Sequence, residues 1–439
     1  MKEVAVEPQV DEISMPENLR VGLFVSDQRN RCSEIGCDAQ FYGFGFGQSP
    51  FHVPPPLQRA LGESAAEGYY STAEGIEELR FAISDFNKRH FSLDVDPSRI
   101  VVGHGTKGLI YTLFSIIKGS VIIPSPSWIG YAPQLKLCRR DYHVLFTSPE
   151  NGYKIDPSEL DESLSELPEE QHLLILNNPH NPTGAVYSEE ELEGISEVCK
   201  NHDILVLADE IYALTTYQIE KFTSMGKIYP EGTFITNGLS KDRSAGGYRL
   251  GSCIMPNCCS EQLINDFTKV AATVYTNVST PTQIAAVAAY EPNQEIEEYF
   301  EITREIHRIM GTYMSAAFNE IDGIKATVPE GSFYFLADFN ALSADLKQKG
   351  AKTSNDLAKS LIAHPHHITT ISGDAVMAQP DDFVARIAFV DYDGKSAFEN
   401  FQESSPKTAS EEEVFVRVNA PKMVAGVKAL ERYAEDLRI

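Results

Sequence analysis

Leu173-Leu174-Ile175-Leu176-Asn177-Asn178-Pro179 is a short apolar run closed by a turn, and it opens the stretch that decides the fold class. A helical pattern follows over Glu189 to Lys200, and then a second apolar run, Ile204-Leu205-Val206-Leu207-Ala208. Short apolar runs with no polar alternation read as strands buried on both faces, and strands joined through a helix run parallel. The same alternation extends outward in both directions. Upstream, the β-branched Arg99 to Val102 precedes Leu109, Leu113 and Ile117 at helical spacing, and Ser120 to Ile123 ends at Pro124. Downstream, Thr233 to Thr236 is a further strand. The reading is α/β: a large domain over residues 51–291 whose mostly parallel sheet is sandwiched by helices.

After Pro292 the pattern changes. A long helix from Glu295 to about Glu320, strands near Phe333 to Asp338 and Arg386 to Val390, and a helix from Pro421 to Leu437 predict a smaller α+β domain over 292–439. Residues 1–50 read as an N-terminal arm that contributes to this domain. Their first forty residues are polar and irregular, and the aromatic–glycine run Phe41 to Gly47 leads into a Pro-rich turn at His52 to Pro56. Asp391 to Glu413 is acidic and aperiodic, and reads as a surface insertion.

Lys and Arg number 37 against 63 Asp and Glu, a net charge of −26. With a pI near 4.8, the chain lacks the basic surface that nucleic acid requires. Its acidic clusters, such as Glu189 to Glu193 and Glu411 to Glu413, read as solvated helix faces. An apolar share of 42% with 23% charged is that of a globular protein. No apolar stretch approaches the ~18 residues of a membrane span, and Met1 to Glu12 lacks the apolar core of a secretion signal. Seven irregularly spaced cysteines suit reduced thiols in a cytoplasmic protein. Cys32/Cys37 and Cys258/Cys259 lack the paired spacing of a zinc site, so no metal is expected.

Gly103-His104-Gly105-Thr106-Lys107-Gly108 follows a strand and opens a helix. As a dinucleotide fingerprint it demands an acidic residue about 20 positions on, and the next strand ends at Ile123-Pro124-Ser125-Pro126 without one. What remains is a phosphate site, since a helix N-terminus presents unpaired N–H groups and partial positive charge. Asn181-Pro182-Thr183-Gly184, Asp209-Glu210-Ile211-Tyr212 and Trp128, the only tryptophan, all follow strands, at the end where open α/β sheets bind ligands. Asp209 closes an apolar strand, and a buried carboxylate needs a partner. The sharpest signal is Leu239-Ser240-Lys241-Asp242-Arg243-Ser244-Ala245-Gly246-Gly247-Tyr248-Arg249, a loop after a strand that brings lysine, arginine and glycines together.

Taken in order, these motifs resemble the class I/II aminotransferases, the aspartate-aminotransferase-like pyridoxal-phosphate enzymes of fold type I. The matching residues run from about Phe44 to Val390: Gly-x-Gly near residue 45, Tyr70 with Gly75, Gly105-Thr106-Lys107, Asn178 to Gly184, Asp209 to Tyr212, Ser240-Lys241 with Arg249, and Arg386-Ile387-Ala388-Phe389. The resemblance implies pyridoxal 5′-phosphate as cofactor, with Lys241 forming the imine to its aldehyde and later shuttling the α-proton, as a desolvated amine can. It implies Asp209 at the pyridinium nitrogen, Asn181 and Tyr212 at the ring's 3-oxygen, and Trp128 stacked on the ring. Gly105, Thr106, Lys107, Ser240 and Arg249 would bind the phosphate. Tyr70 would reach the phosphate of a neighbouring subunit, which implies a homodimer with shared sites. Arg386 would grip the substrate α-carboxylate in a two-bonded fork, with the Gly47 backbone as a second contact.

The expected partners are therefore an L-amino acid and a 2-oxo acid, with no nucleic acid and no membrane. Elimination, ring closure or decarboxylation on the same scaffold remains an alternative to transamination, as does a non-catalytic ligand-sensing regulator. The chain departs from the family pattern at Gly238, where a phosphate-binding Ser or Thr is usual. It also has Ala271-Ala272 ahead of Tyr275, where some members that take dicarboxylates carry arginine, so the sequence gives no support for Asp or Glu as substrate.

Overall fold

The computed structural model describes residues 6–35, 40–168 and 170–438. Met1 to Ala5, part of the N-terminal signal reading, and Cys37 lie outside them. The strands are β1 (Tyr42–Gly43), β2 (Ile100–Gly103), β3 (Val121–Ser125), β4 (Tyr142–Phe146), β5 (Leu173–Asn177), β6 (Leu205–Asp209), β7 (Thr233–Gly238), β8 (Gly251–Ile254), β9 (Lys325–Ala326), β10 (Tyr334–Asp338), β11 (Ile368–Thr369), β12 (Ile371–Ser372) and β13 (Val384–Ala388).

A seven-stranded sheet in the order β2-β8-β7-β6-β5-β3-β4 forms the large layer. The pairings from β7 through β6, β5 and β3 to β4 are parallel, while β8 runs antiparallel to both β2 and β7. Alternation along each strand divides the core. Val101, Ile123, Ile175, Leu207 and Phe234 pack on one face with Leu109, Leu113 and Phe267. Val102, Ile122, Leu174, Leu176, Val206 and Ala208 pack on the other with Leu192 and Ile195. Both faces are covered, which is why these strands show no polar alternation in sequence. The covering helix Glu189–Asn201 starts at a capping box between Ser188 and Glu191, with three glutamates in its first turn.

Beyond this layer, β12-β13-β10-β9 form an antiparallel sheet in which Leu336 of β10 stands opposite Arg386 of β13. The helices Gln294–Asn319 and Pro421–Leu437 pack with it. Strand β1 pairs in parallel with β11, joining Tyr42 to Ile368.

The structure departs from the sequence reading in three places. Residues 391–413, read as an aperiodic insertion, contain the helix Gly394–Ser404 and the start of the helix Ala409–Asn419, capped by Asp393 and Thr408. Their buried positions, Gly394, Ala397, Phe415 and Val416, are too few to leave a period. The polar first forty residues include the helix Glu17–Ile35, whose Leu19, Leu23 and Phe24 face solvent. The sequence reading also passes over β4 and β8. Most of β4 is only half-buried, and Gly251-Ser252-Cys253-Ile254 lacks the large apolar residues that mark a strand.

Candidate active site

Strands β5, β6 and β7 end on one side of the sheet, where a cavity of about 350 Å³ opens. Gly47, Thr106, Lys107, Trp128, Asn181, Asp209, Tyr212, Ser240, Lys241, Arg249 and Arg386 all line it. Gly105 stands beside the cavity in the first turn of the helix Gly105–Ile116, with φ of +71°; a Cβ there would lie 2.7 Å from the Arg249 Nη2 atom. Only glycine lets the guanidinium come so close to the helix N-terminus. Tyr70 does not line the cavity and is 85% exposed.

Asp209 is the last residue of β6 and is only 5% exposed. Its carboxylate accepts hydrogen bonds from the Tyr131 hydroxyl at 2.7 Å and the Thr236 hydroxyl at 3.3 Å. Burial pushes its pKa up to about 6, opposed by the bonds from Tyr131 and Thr236 and by the charge of Lys241. The adjacent Glu210 is engaged elsewhere, accepting from the Ser224 hydroxyl and the Met225 N–H, both at 2.9 Å. Strand alternation separates the two carboxyls, one toward the cavity and one toward its own anchor.

Lys241 follows β7, and its ammonium donates to the Gly47 carbonyl at 3.1 Å, lying 5.4 Å from the Tyr212 ring centre and 5.3 Å from that of Phe333. Gly47 must be glycine, because a Cβ would fall 1.9 Å from the Tyr334 hydroxyl oxygen. That hydroxyl donates to the Gly47 carbonyl at 3.3 Å and accepts from Tyr212 at 3.2 Å. Arg386, 2% exposed, donates to the Gly45 carbonyl at 2.8 Å and the Asn181 amide oxygen at 3.4 Å, and stacks 4.6 Å above the Tyr334 ring. Its Nε–H has no partner among the described residues, and a buried unpaired donor of this kind suits an incoming anion. Lys107 is held 5.2 Å over the Trp128 ring, its pKa pushed down by burial and then by the charges of Arg249 and Lys241.

Four cations thus surround one buried carboxylate in a strongly acidic chain. The arrangement suits a flat, anionic ligand: Arg249, Thr106, Ser240 and the first turn of the helix Gly105–Ile116 gather donors for a phosphate, and Trp128 offers an aromatic face. At Gly238 a Cβ would lie 2.7 Å from the Leu250 carbonyl oxygen, because Gly238 pairs with Gly251 across β7 and β8. The close strand approach, rather than the ligand, dictates glycine there.

Sequence reasoning missed Tyr131, Tyr334 and Asn18. Tyr131 and Tyr334 reach the site from sequence distances of 78 and 122 residues to their partners Asp209 and Tyr212, so no local pattern marks them. Asn18 lines the cavity from the N-terminal helix, where Glu17 accepts from the Ser372 N–H at 2.6 Å and hydroxyl at 2.7 Å.

A family model described as aminotransferase class I and II matches residues 42–390. The aspartate aminotransferase of Bacillus subtilis is 35% identical over 332 residues, which cover 73% of this chain and 80% of that protein. The asparagine–oxo-acid transaminase of Streptococcus mutans is 32% identical over 325 residues, 72% and 79% of the two chains. Among solved structures, an aspartate aminotransferase from Thermus thermophilus with maleate superposes with a TM-score of 0.80, covering 98% of this chain and 100% of that one. Their sequences are 22% identical, and the likeness is one of fold.

Proposed function

This chain belongs to the class I and II aminotransferases and moves amino groups between amino acids and 2-oxo acids; from that premise we propose which of its residues do so. The family uses pyridoxal 5′-phosphate, which when bound supplies an aldehyde that captures amines and a ring that withdraws electrons from the α-carbon. The residues present fit it. Asp209 is the one buried carboxylate lining the cavity among the described residues, and it would hold a proton on a ring nitrogen. Asn181 and Tyr212 would hold the ring oxygen, and Trp128 would cover the ring. Gly105, Thr106, Lys107, Ser240 and Arg249 would form the phosphate cup, with no side chain at Gly238 to assist. Lys241 would hold the aldehyde and move a proton to and from the substrate α-carbon. Arg386 receives the α-carboxylate, its free Nε–H supplying one arm of the fork.

The observation that carries this reading is the convergence of Asp209, Lys241 and Arg386, from three separate elements, on one cavity. The test is direct. Purified protein incubated with pyridoxal 5′-phosphate turns yellow, and borohydride fixes the cofactor to Lys241, as peptide mapping reads. A colourless protein, or label on another lysine, would overturn the assignment.

For the substrate, the relatives' names support aspartate as amino donor. No arginine precedes Tyr275, and Lys107 is assigned to the phosphate, so aspartate rests on the relatives' names. A panel of amino acids assayed with 2-oxoglutarate should rank aspartate first, ahead of phenylalanine. Tyr70, exposed and not part of its own cavity's lining, supports a homodimer in which it serves the neighbouring phosphate. Among the described residues no helix is long and apolar enough to cross a membrane, and the free thiols support a cytoplasmic setting.

A further inference from the structure

The loop that carries Lys241 is held on two sides. On one, Asp242 and Arg243 turn into the protein as a fully buried ion pair at 2.9 Å. The Arg243 guanidinium lies 4.5 Å from the ring centre of Phe86, 4.4 Å from Tyr290 and 5.0 Å from Phe300, and its Nε–H donates to the Ala289 carbonyl at 3.1 Å. On the other side is Ser244, at φ +52°, whose N–H donates to the Lys241 carbonyl at 3.3 Å. Its hydroxyl contacts the Ser49 hydroxyl at 2.5 Å and the Tyr299 hydroxyl at 2.6 Å, and Tyr299 in turn lies 2.8 Å from the His52 carbonyl.

Counting protons fixes the direction of this chain. A carbonyl only accepts, so Tyr299 donates to His52; Ser244 must then donate to Tyr299, and Ser49 to Ser244. Three hydroxyls in series polarise one another, and Ser49 and Tyr299 are both buried. The chain joins the Lys241 loop, the segment from Gly47 to His52 and the helix Gln294–Asn319. It begins two residues after Gly47, whose carbonyl receives the Lys241 ammonium. Satisfying buried hydroxyls would need only one neighbour for each. Here both ends of the chain fall on the segment that fixes the Lys241 amine.

We propose that Tyr299, acting through Ser244 and Ser49, is a positioning residue for Lys241, holding the lysine loop in register with the Gly47 carbonyl. The proposal rests on the assignment of Lys241 above. Tyr299→Phe removes only the hydroxyl and keeps the ring, which stacks on Phe398 at 5.6 Å; Ser244→Ala breaks the chain at its middle. Both are compared with wild type as cofactor-loaded enzymes. Titrating the visible absorbance of bound cofactor against pH should show the midpoint displaced by about half a unit or more in each variant. The turnover number kcat should fall about tenfold with KM for the amino acid within about threefold of wild type. The double variant should fall no further than either single one, as expected for groups acting as a unit. An unmoved midpoint with unchanged kcat, alongside a lower Tm, would show that the hydroxyls only hold the fold and would overturn the proposal. If one variant fails to fold, the other carries the same test. Failure of borohydride to fix cofactor on wild-type Lys241 is a separate result, and it would overturn the assignment beneath.

Discussion

Burial raises Asp209 from its ordinary value of 3.8 to about 6 and its neighbour Glu210 from 4.5 to about 8. A carboxyl raised in this way holds its proton more tightly folded than unfolded. Its contribution to stability is whole below the unfolded value and is lost as pH rises through the folded one, between 3.8 and about 6 for Asp209. In the cofactor-free protein, Asp209→Asn should therefore raise stability at pH 8 by roughly 1–3 kcal/mol. The amide keeps Tyr131 as a partner and removes a buried charge. Melting curves at pH 8 and pH 4 check the sign: the gain should shrink at pH 4, and a loss at pH 8 would refute the burial argument. The same substitution should weaken cofactor binding, because the amide offers no charge to a protonated ring nitrogen. Arg386 makes the complementary case. Arg386→Lys keeps the charge but not the fork, so KM for the amino acid should rise about 100-fold while cofactor affinity changes less than about threefold. Steady-state kinetics and a cofactor titration separate the two effects.

Between strands, spacing overrules chemistry. Gly238 and Gly251 face each other where β7 meets β8, and a Cβ on Gly251 would lie 2.8 Å from the Thr106 nitrogen in the first turn of the helix Gly105–Ile116. The two glycines let the antiparallel strand approach closely enough to bring the Lys241 loop beside the helix Gly105–Ile116. Gly238→Ser, which installs the hydroxyl usual in the family, should lower stability by about 1–3 kcal/mol and add no cofactor affinity. Chemical denaturation and a cofactor titration test this; tighter cofactor binding would show that the strands can part. The helices Gly394–Ser404 and Ala409–Asn419 illustrate the opposite limit. Their caps stand in sequence at Asp393 and Thr408-x-x-Glu411, a signal the aperiodic reading passes over, and they bury too few residues to leave an apolar period.

Across the molecule, a net charge of −26 encloses a cavity lined by Lys107, Lys241, Arg249 and Arg386. An acidic surface around a small basic site confines anion binding to that site. Tyr70 lies outside this cavity, and its proposed role depends on a second copy. Mixing Tyr70→Phe subunits with Lys241→Ala subunits should then restore activity to about a quarter of wild type, because half of the dimers are hybrids with one intact site each. No recovery after mixing and refolding would place Tyr70 outside the neighbouring site. The sequence by itself determined the α/β class, since continuous apolar strands between helices have few other ways to be buried. It also determined the order of the motifs that places Asp209, Lys241 and Arg386 in a family. Local chemistry is enough for both. Only the tertiary structure decided that Tyr131 supports Asp209, that Tyr334 and Gly47 share an oxygen beside Lys241, and that Ser49, Ser244 and Tyr299 form one chain. These partners lie tens to hundreds of residues apart, and nothing in a local pattern records a distance that only the packed sheet and helices set.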